Sequence, residues 1–447
     1  MLSTLPLLMR STPMQRREFL RTSSAAAATA FAFQILPATA RGANSRIQVG
    51  CIGIDGKGNT DTLQTAAAGA AIVALCDVAN PRQPGLSRRK QKKAKDGGET
   101  MLDKFPGARF FTDYREMIAS HPGIDAVTVS TPDHHHFHAS MLAMRKGKHV
   151  YCQKPISHSI WEARRMTETA AQYKVQTQMG NQAHAGEPIR RAVELLRAGV
   201  LGAVQEVHAW TNRPIWPQGM SAWPKAEPVP AGLDWDLWIG PAPFREYSRA
   251  IAPFNWRGWW DFGACALGDM GCHLMNLLWH SVDLRSPRTI TAETGTFDVD
   301  SFPTDAQVQF DYADFGLTWY ESGRRPTPPA GLEIGGNGGL IVGSRDTLYF
   351  DDAYGAEPRL LSGNPIPDIS FTKSPGHMKE WFDGMQGGDR PYSDIVHAGA
   401  PLTELLLLGN LAILTGKPTH LNGQIGRADL RGYEDLVNPA RTPGWEI

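Results

Sequence analysis

Hydrophobic and polar positions follow two different rhythms along this chain. Between Arg46 and about Gln182, short apolar and β-branched runs are separated by stretches with helical spacing. The runs predict strands over residues 47–54, 72–77, 108–111, 126–130, 149–152 and 175–179, and the intervening stretches predict helices over 61–68, 114–119, 138–146 and 160–173. Strand followed by helix at this spacing implies right-handed crossovers and a parallel sheet. After a helix around 188–198 the rhythm changes. Runs at 204–210, 289–296, 306–312, 317–321, 340–342 and 347–350 read as strands separated by turn residues, with few long helices between them. The expectation is an α/β chain: a parallel-sheet domain, then a domain with a large, mostly antiparallel open sheet. One face of that sheet is free to cover a site on the first domain or to pair with another copy in a homo-oligomer. Late helices at 377–385 and 400–415 are expected to pack back on the body.

The first forty residues follow another logic. Arg16 and Arg17 precede Glu18, Phe19 and Leu20, an Ala-rich apolar stretch runs to Leu36, and Ala38-Thr39-Ala40 closes the segment. That is the order of a twin-arginine export signal cleaved near Ala40, which predicts a periplasmic protein. The apolar stretch 25–36 is shorter than the roughly twenty residues of a spanning helix, so no stable membrane anchor is expected. Two domains are then expected, 41–182 and 183–447. Such systems carry proteins already folded, which suits a tightly held ligand.

Composition narrows the partner. Lysines plus arginines and aspartates plus glutamates each number 45, so net charge gives no reason to expect nucleic acid, and small neutral substrates fit better. The five cysteines, Cys51, Cys76, Cys152, Cys265 and Cys272, lack paired spacing and read as small buried apolar residues. The basic segment 80–98 reads as a solvated surface loop and helix.

The first strand runs into Gly53-Ile54-Asp55-Gly56-Lys57-Gly58, with Asn59 opening the next helix. A glycine turn between strand and helix brings backbone N–H groups and a helix N-terminus against a pyrophosphate. The second strand ends in Asp77, placed to accept from ribose hydroxyls, and its charge disfavours a 2′-phosphate, so NAD is expected over NADP. Asp55 stands where the usual fingerprint has its second glycine. Aspartate tolerates left-handed backbone, but its charge suits a pyrophosphate only if it points outward.

Two more groups carry chemistry. Tyr151-Cys152-Gln153-Lys154-Pro155 puts a lysine just after a strand, and Gly268-Asp269-Met270-Gly271-Cys272-His273 spaces an aspartate and a histidine on one face of a helix. With the glycine turn, Thr131-Pro132-Asp133 and the later strand pair, these motifs resemble the Gfo/Idh/MocA family of sugar and inositol oxidoreductases across nearly the whole mature chain. The resemblance implies a Rossmann domain binding NAD(P) and a second domain whose sheet faces the nicotinamide. It also implies Lys154 and His273 as acid/base groups, with Asp269 positioning substrate. Thr131, Pro132, Asp133, His136 and Gln153 would line the cofactor, and Asn181 would lie near nicotinamide or substrate. The family commonly has Glu where Gln153 stands and Asp where Asn276 stands.

The chemistry agrees with that assignment. Taking a hydride from a carbinol carbon requires removing the hydroxyl proton, which a histidine can accept at neutral pH. A lysine either has its value lowered by burial or stays charged and polarises the oxygen. Trp256, Arg257 and Trp260 are expected to wall the substrate, through ring faces on sugar C–H surfaces and a guanidinium on hydroxyls. In the tract 134–138 consecutive rings cannot all turn inward onto one ion, so no metal site is expected, and all but His136 are expected to be half exposed. The expected function is hydride transfer between a retained nicotinamide cofactor and a sugar, glycoside or cyclic polyol. The alternatives are an NAD-retaining glycoside-cleaving enzyme and a sugar-binding protein without catalysis.

Overall fold

The computed structural model describes residues 46–81, 99–297, 300–355, 357–421, 423–426 and 430–447. The export-signal expectation at 1–40 and most of the basic segment 80–98 lie outside these residues.

The apolar runs of the first half form β1 (Gln48–Ile52), β2 (Ala71–Cys76), β3 (Arg109–Phe111), β4 (Ala126–Val129), β5 (His149–Cys152) and β6 (Thr177–Met179). They make one parallel sheet in the order β3-β2-β1-β4-β5-β6. Strand order reverses between β1 and β4, and there the loops leaving the two strands diverge to open a crevice at the carboxyl ends. The crossovers include α1 (Lys57–Ala67), α2 (Met101–Lys104), α3 (Tyr114–Ser120), α4 (Asp133–Arg145) and α5 (Ile160–Tyr173). Ser159 and Glu162 close the start of α5 with a reciprocal capping box.

Helix α4 begins five residues earlier than the sequence pattern places it. Pro132 leads into its first turn, so the histidine tract is helical and not a loop. His134, His135, His136 and His138 are all buried, which corrects the expectation of half-exposed rings. The cover comes from far along the chain: the Trp238 carbonyl accepts from His134 and His135 ring nitrogens, and the Trp445 ring lies 4.9 Å from that of His138.

Beyond α6 (Glu187–Arg197), the second half builds an eight-stranded sheet from β7 (Val204–Trp210), β8 (Thr289–Thr294), β9 (Ala306–Asp311), β10 (Gly316–Tyr320), β11 (Gly338–Gly343), β12 (Thr347–Phe350), β13 (Arg359–Leu360) and β14 (Thr419–His420). Its order is β13-β12-β11-β7-β10-β9-β8-β14, antiparallel except where β7 meets β10. Helices α7 (Trp235–Ile239), α8 (Cys265–Leu274), α9 (Asn276–Ser281), α10 (His377–Met385), α11 (Ala400–Thr415) and α12 (Glu434–Val437) complete the chain. α11 is apolar nearly all round and packs against α5, α8 and β8, which joins the two sheets in one core. It lies in the stretch Ile395–Thr415, which is long and apolar enough to cross a membrane but is 83% buried within the protein.

Candidate active site

The loops leaving β1, β2, β4 and β5 meet α8 and the stretch 213–257 around one cleft of about 610 Å³. Of the residues singled out in the sequence, Gly53, Asp55, Gly56, Lys57, Asp77, Thr131, Pro132, Asp133, His136, Gln153, Lys154, Trp256, Arg257, Asp269 and His273 line it.

The glycine turn is built to leave space. A Cβ on Gly53 would come within 2.7 Å of the Ser130 carbonyl oxygen, so the turn can sit this close to the β4 loop only without one. Gly56 has φ 54° and ψ −117°, and a Cβ there would meet no atom within 4 Å. Positive φ falls on Gly53 and Gly56, and Asp55 between them needs no left-handed backbone. The N-terminus of α1 has no side-chain cap and no acidic residue in its first turn, an arrangement that suits an anion. Gly58 is a packing residue, its Cα against the Gly53 carbonyl, and Asn59 lies along α1 outside the cleft. Asp77 accepts from Ile54 N (3.0 Å) and Ala79 N (2.9 Å), which fixes its carboxylate beside the turn. These features fit a dinucleotide. The backbone cost of a side chain at Gly56 is about 1–3 kcal/mol. Gly56→Ala is therefore expected to weaken nucleotide binding by roughly 5–150-fold by calorimetry, and unchanged affinity would remove the turn from the site.

One residue beneath the turn escaped the sequence reading. Asp61, on α1 and fully buried, accepts from Ser130 Oγ (2.8 Å) and Gln153 Nε2 (2.9 Å) and pairs with the Lys57 ammonium. It ties the β1, β4 and β5 loops together.

The reactive groups converge as their spacing suggests. Lys154 Nζ donates to Asp269 Oδ1 at 2.5 Å and to the Asp269 carbonyl at 2.8 Å, so one of its three donors remains. Arg257 Nε stands 3.7 Å from the same carboxylate oxygen. Burial by itself would raise Asp269, but Lys154 and Arg257 overcome it and hold the carboxyl at about 2. His273, one turn along α8, is held down at about 3 by burial and by Lys154, and its Nδ1 has no protein partner among the described residues. Asp133 is pushed up to about 7 by burial, against the pull of Arg257 and Lys154, and accepts from Ala264 N at 3.1 Å. A Cβ on Gly271 would meet Leu406 at 2.5 Å, so this glycine lets α8 lie against α11 on its other side.

Besides Gly58 and Asn59, two more predicted site residues sit elsewhere. Trp260 does not line the cleft: its ring packs on Phe302 and its carbonyl accepts from His158, because the short helical turn Asn255–Gly258 sends Trp256 and Trp260 to different sides. Asn181 is buried behind the end of β6, with neither amide atom partnered among the described residues. His136 lines the cleft, with ring nitrogens 2.6 Å from the Pro155 carbonyl and 2.9 Å from that of Thr131.

Just past Asp77, the second half of the chain is tied to the first by main-chain bonds. Ala79 pairs with Leu233 as an antiparallel bridge, Asn80 N donates to the Gly232 carbonyl, and Asp234 N donates to the Val78 carbonyl, both at 2.9 Å. Trp238, on the helix that follows, faces the cleft beside Pro132, His135 and Tyr114.

Burial holds eight imidazoles below their ordinary range: His134, His135, His136, His138, His184, His273, His280 and His377. Each takes a proton near pH 6.5 when unfolded but stays neutral when folded until far lower pH. Stability therefore falls as pH drops below about 6.5, by up to about 1.4 kcal/mol per pH unit for each group. We expect cooperative acid unfolding with a midpoint near about pH 5, read by circular dichroism with proton uptake. A fold that survives to about pH 3 would contradict neutral burial of these rings.

Comparison with known proteins adds family evidence. The profile described as "Oxidoreductase family, NAD-binding Rossmann fold" of the Gfo/Idh/MocA group matches residues 47–181, and "Oxidoreductase family, C-terminal alpha/beta domain" matches residues 187–338. A D-xylose 1-dehydrogenase (NADP(+)) from Hypocrea jecorina is 38% identical over 80 residues, 17% of this chain and 20% of that protein. A glycosyl hydrolase family 109 protein from Saccharopolyspora erythraea is 29% identical over 179 residues, 36% of this chain and 38% of that protein. The matches thus span well under half of these relatives. Among solved structures, the WlbA dehydrogenase from Bordetella pertussis, in complex with NADH and UDP-GlcNAcA, shares the fold with a TM-score of 0.58. That match is 18% identical and covers 84% of this chain and 99% of that one.

Proposed function

Because the chain belongs to the Gfo/Idh/MocA oxidoreductase family, we propose that it moves a hydride between a nicotinamide cofactor it retains and a sugar, glycoside or cyclic polyol. The observation that supports this most is the meeting of the glycine turn, Lys154, Asp269 and His273 around one cleft at the carboxyl ends of the parallel strands.

When bound, the nicotinamide ring supplies the hydride acceptor or donor. The rest falls to this chain's own side chains. Lys154 is gripped by two acceptors and is oriented as a donor, which suits it to polarise the reacting oxygen. His273 is neutral across the physiological range, so a ring nitrogen can accept from the reacting hydroxyl, and burial makes it a weak base. Asp269 fixes Lys154 and, with Arg257, presents hydrogen-bonding edges to neighbouring hydroxyls. NAD is favoured over NADP because the anchored Asp77 carboxylate would meet a 2′-phosphate. At about 4 Å that contact costs roughly 4 kcal/mol per unit charge at an effective dielectric near 20.

The same reading holds that the chain is exported by its twin-arginine segment and keeps its cofactor outside the cytoplasm. The bridge between residues 78–80 and 232–234, which ties the two halves of the chain together next to Asp77, supports retention. Retention also favours a second reading, in which hydride returns to the same sugar after its glycosidic bond is cleaved, and the likeness to a glycosyl hydrolase family 109 protein supports it.

The test is to denature the purified protein, identify released nucleotide by mass spectrometry, and then offer the intact protein a panel of sugars and aryl glycosides. Bound NAD with oxidised or reduced sugar products supports hydride transfer. Aglycone release without net redox change moves the function to the second reading. A protein that neither carries nor binds nicotinamide nucleotide would refute both.

A further inference from the structure

Beyond the reacting centre, the mouth of the cleft carries apolar surface that the acid/base groups do not use. Among the described residues six large hydrophobic side chains are exposed, and three of them, Ile215 at 60%, Phe254 at 43% and Tyr354 at 52%, line this one cleft. Single exposed apolar residues are ordinary, but a cluster at one cavity mouth marks a binding surface. Each aromatic is tied to a reactive-centre residue. The Tyr354 ring meets the His273 ring edge-on at 5.3 Å, and Phe254 lies 4.8 Å from the Arg257 guanidinium, beside Trp216.

We propose that this mouth is a second-ring subsite that takes the flat, apolar aglycone of a glycoside, so that aryl glycosides are preferred to simple alkyl glycosides and free monosaccharides. A reacting sugar held by Lys154, Asp269 and His273 leaves its anomeric substituent the space between Phe254 and Tyr354. Rings are the right shape for that space, because aromatic faces pair with aromatic faces and edges at these distances. Arg213 and Arg257 line the same mouth and favour an electron-rich ring over a cationic group. The inference rests on the sugar oxidoreductase reading above, and the experiment lets the two fail separately.

Binding of matched phenyl and methyl glycosides of glucose, galactose and xylose to the nucleotide-loaded protein is measured by calorimetry, alongside turnover. For the sugar that binds, the phenyl glycoside is expected to bind at least about tenfold tighter. In the double variant Ile215→Ser, Phe254→Ser that ratio is expected to collapse toward one with bound nucleotide retained. Both side chains are exposed, so an unchanged Tm serves as the folding control. Equal binding of phenyl and methyl glycosides, a preference that survives the double substitution, or no binding of any glycoside overturns the subsite. A phenyl preference without turnover of any glycoside leaves the subsite standing and defeats the hydride-transfer reading.

Discussion

Lys154→Met is expected to lower turnover by roughly 10²–10⁴-fold while nucleotide binding is retained. Methionine preserves the length and packing of the stem and removes the charged donor. Two effects then combine. The reacting oxygen loses the N–H aimed at it, and Asp269 loses the nearer of two cations that hold its carboxyl at about 2 against burial. Arg257, at 3.7 Å, compensates only in part, so the carboxyl rises and its grip on neighbouring hydroxyls weakens. His273→Asn is expected to cost a comparable factor through loss of the proton acceptor. Nucleotide content of the purified variants, measured by mass spectrometry, separates chemistry from binding. Normal turnover in a nucleotide-loaded Lys154→Met protein would exclude the lysine from the reaction.

Gln153→Glu is expected to have the second large effect, on stability and nucleotide binding together. The family commonly carries Glu at this position, yet here the Gln153 amide donates to the fully buried Asp61. A carboxylate in its place would face another carboxylate at about 3–4 Å. At an effective dielectric near 20 that repulsion is about 4 kcal/mol, unless one of the pair takes up a proton. The single variant should unfold at markedly lower denaturant concentration and lose nucleotide, because Asp61 also holds Ser130 and Lys57 under the glycine turn. Adding Asp61→Asn removes the repulsion and is expected to recover most of the loss. If the two substitutions are simply additive in denaturant titrations, the coupling is absent.

This pairing shows where the sequence was legible and where it was not. The alternation of apolar runs placed β5, β7 and β12 to the residue, since each is buried by its own pattern. The i, i+4 spacing of Asp269 and His273 placed them on one turn of α8, because helical geometry leaves no alternative once the segment is helical. Asp61 was invisible for the opposite reason. A lone aspartate on an amphipathic helix normally faces water, and only the glycine turn folding over it reverses that. The histidine tract misled because four polar rings in five positions resemble a surface loop, whereas the carbonyl, Tyr114 and Trp445 contacts that bury them come from elsewhere in the chain. Trp256 and Trp260 could not be told apart, since which ring faces the cleft depends on one short helical turn. The bridge between residues 79 and 233 has no periodic signature in either segment.

That bridge fastens the chain just past β2 to a segment of its other half through main-chain groups, which no side-chain substitution removes. The two halves are thereby held at one spacing beside Asp77, so whatever enters the cleft meets residues of both at once.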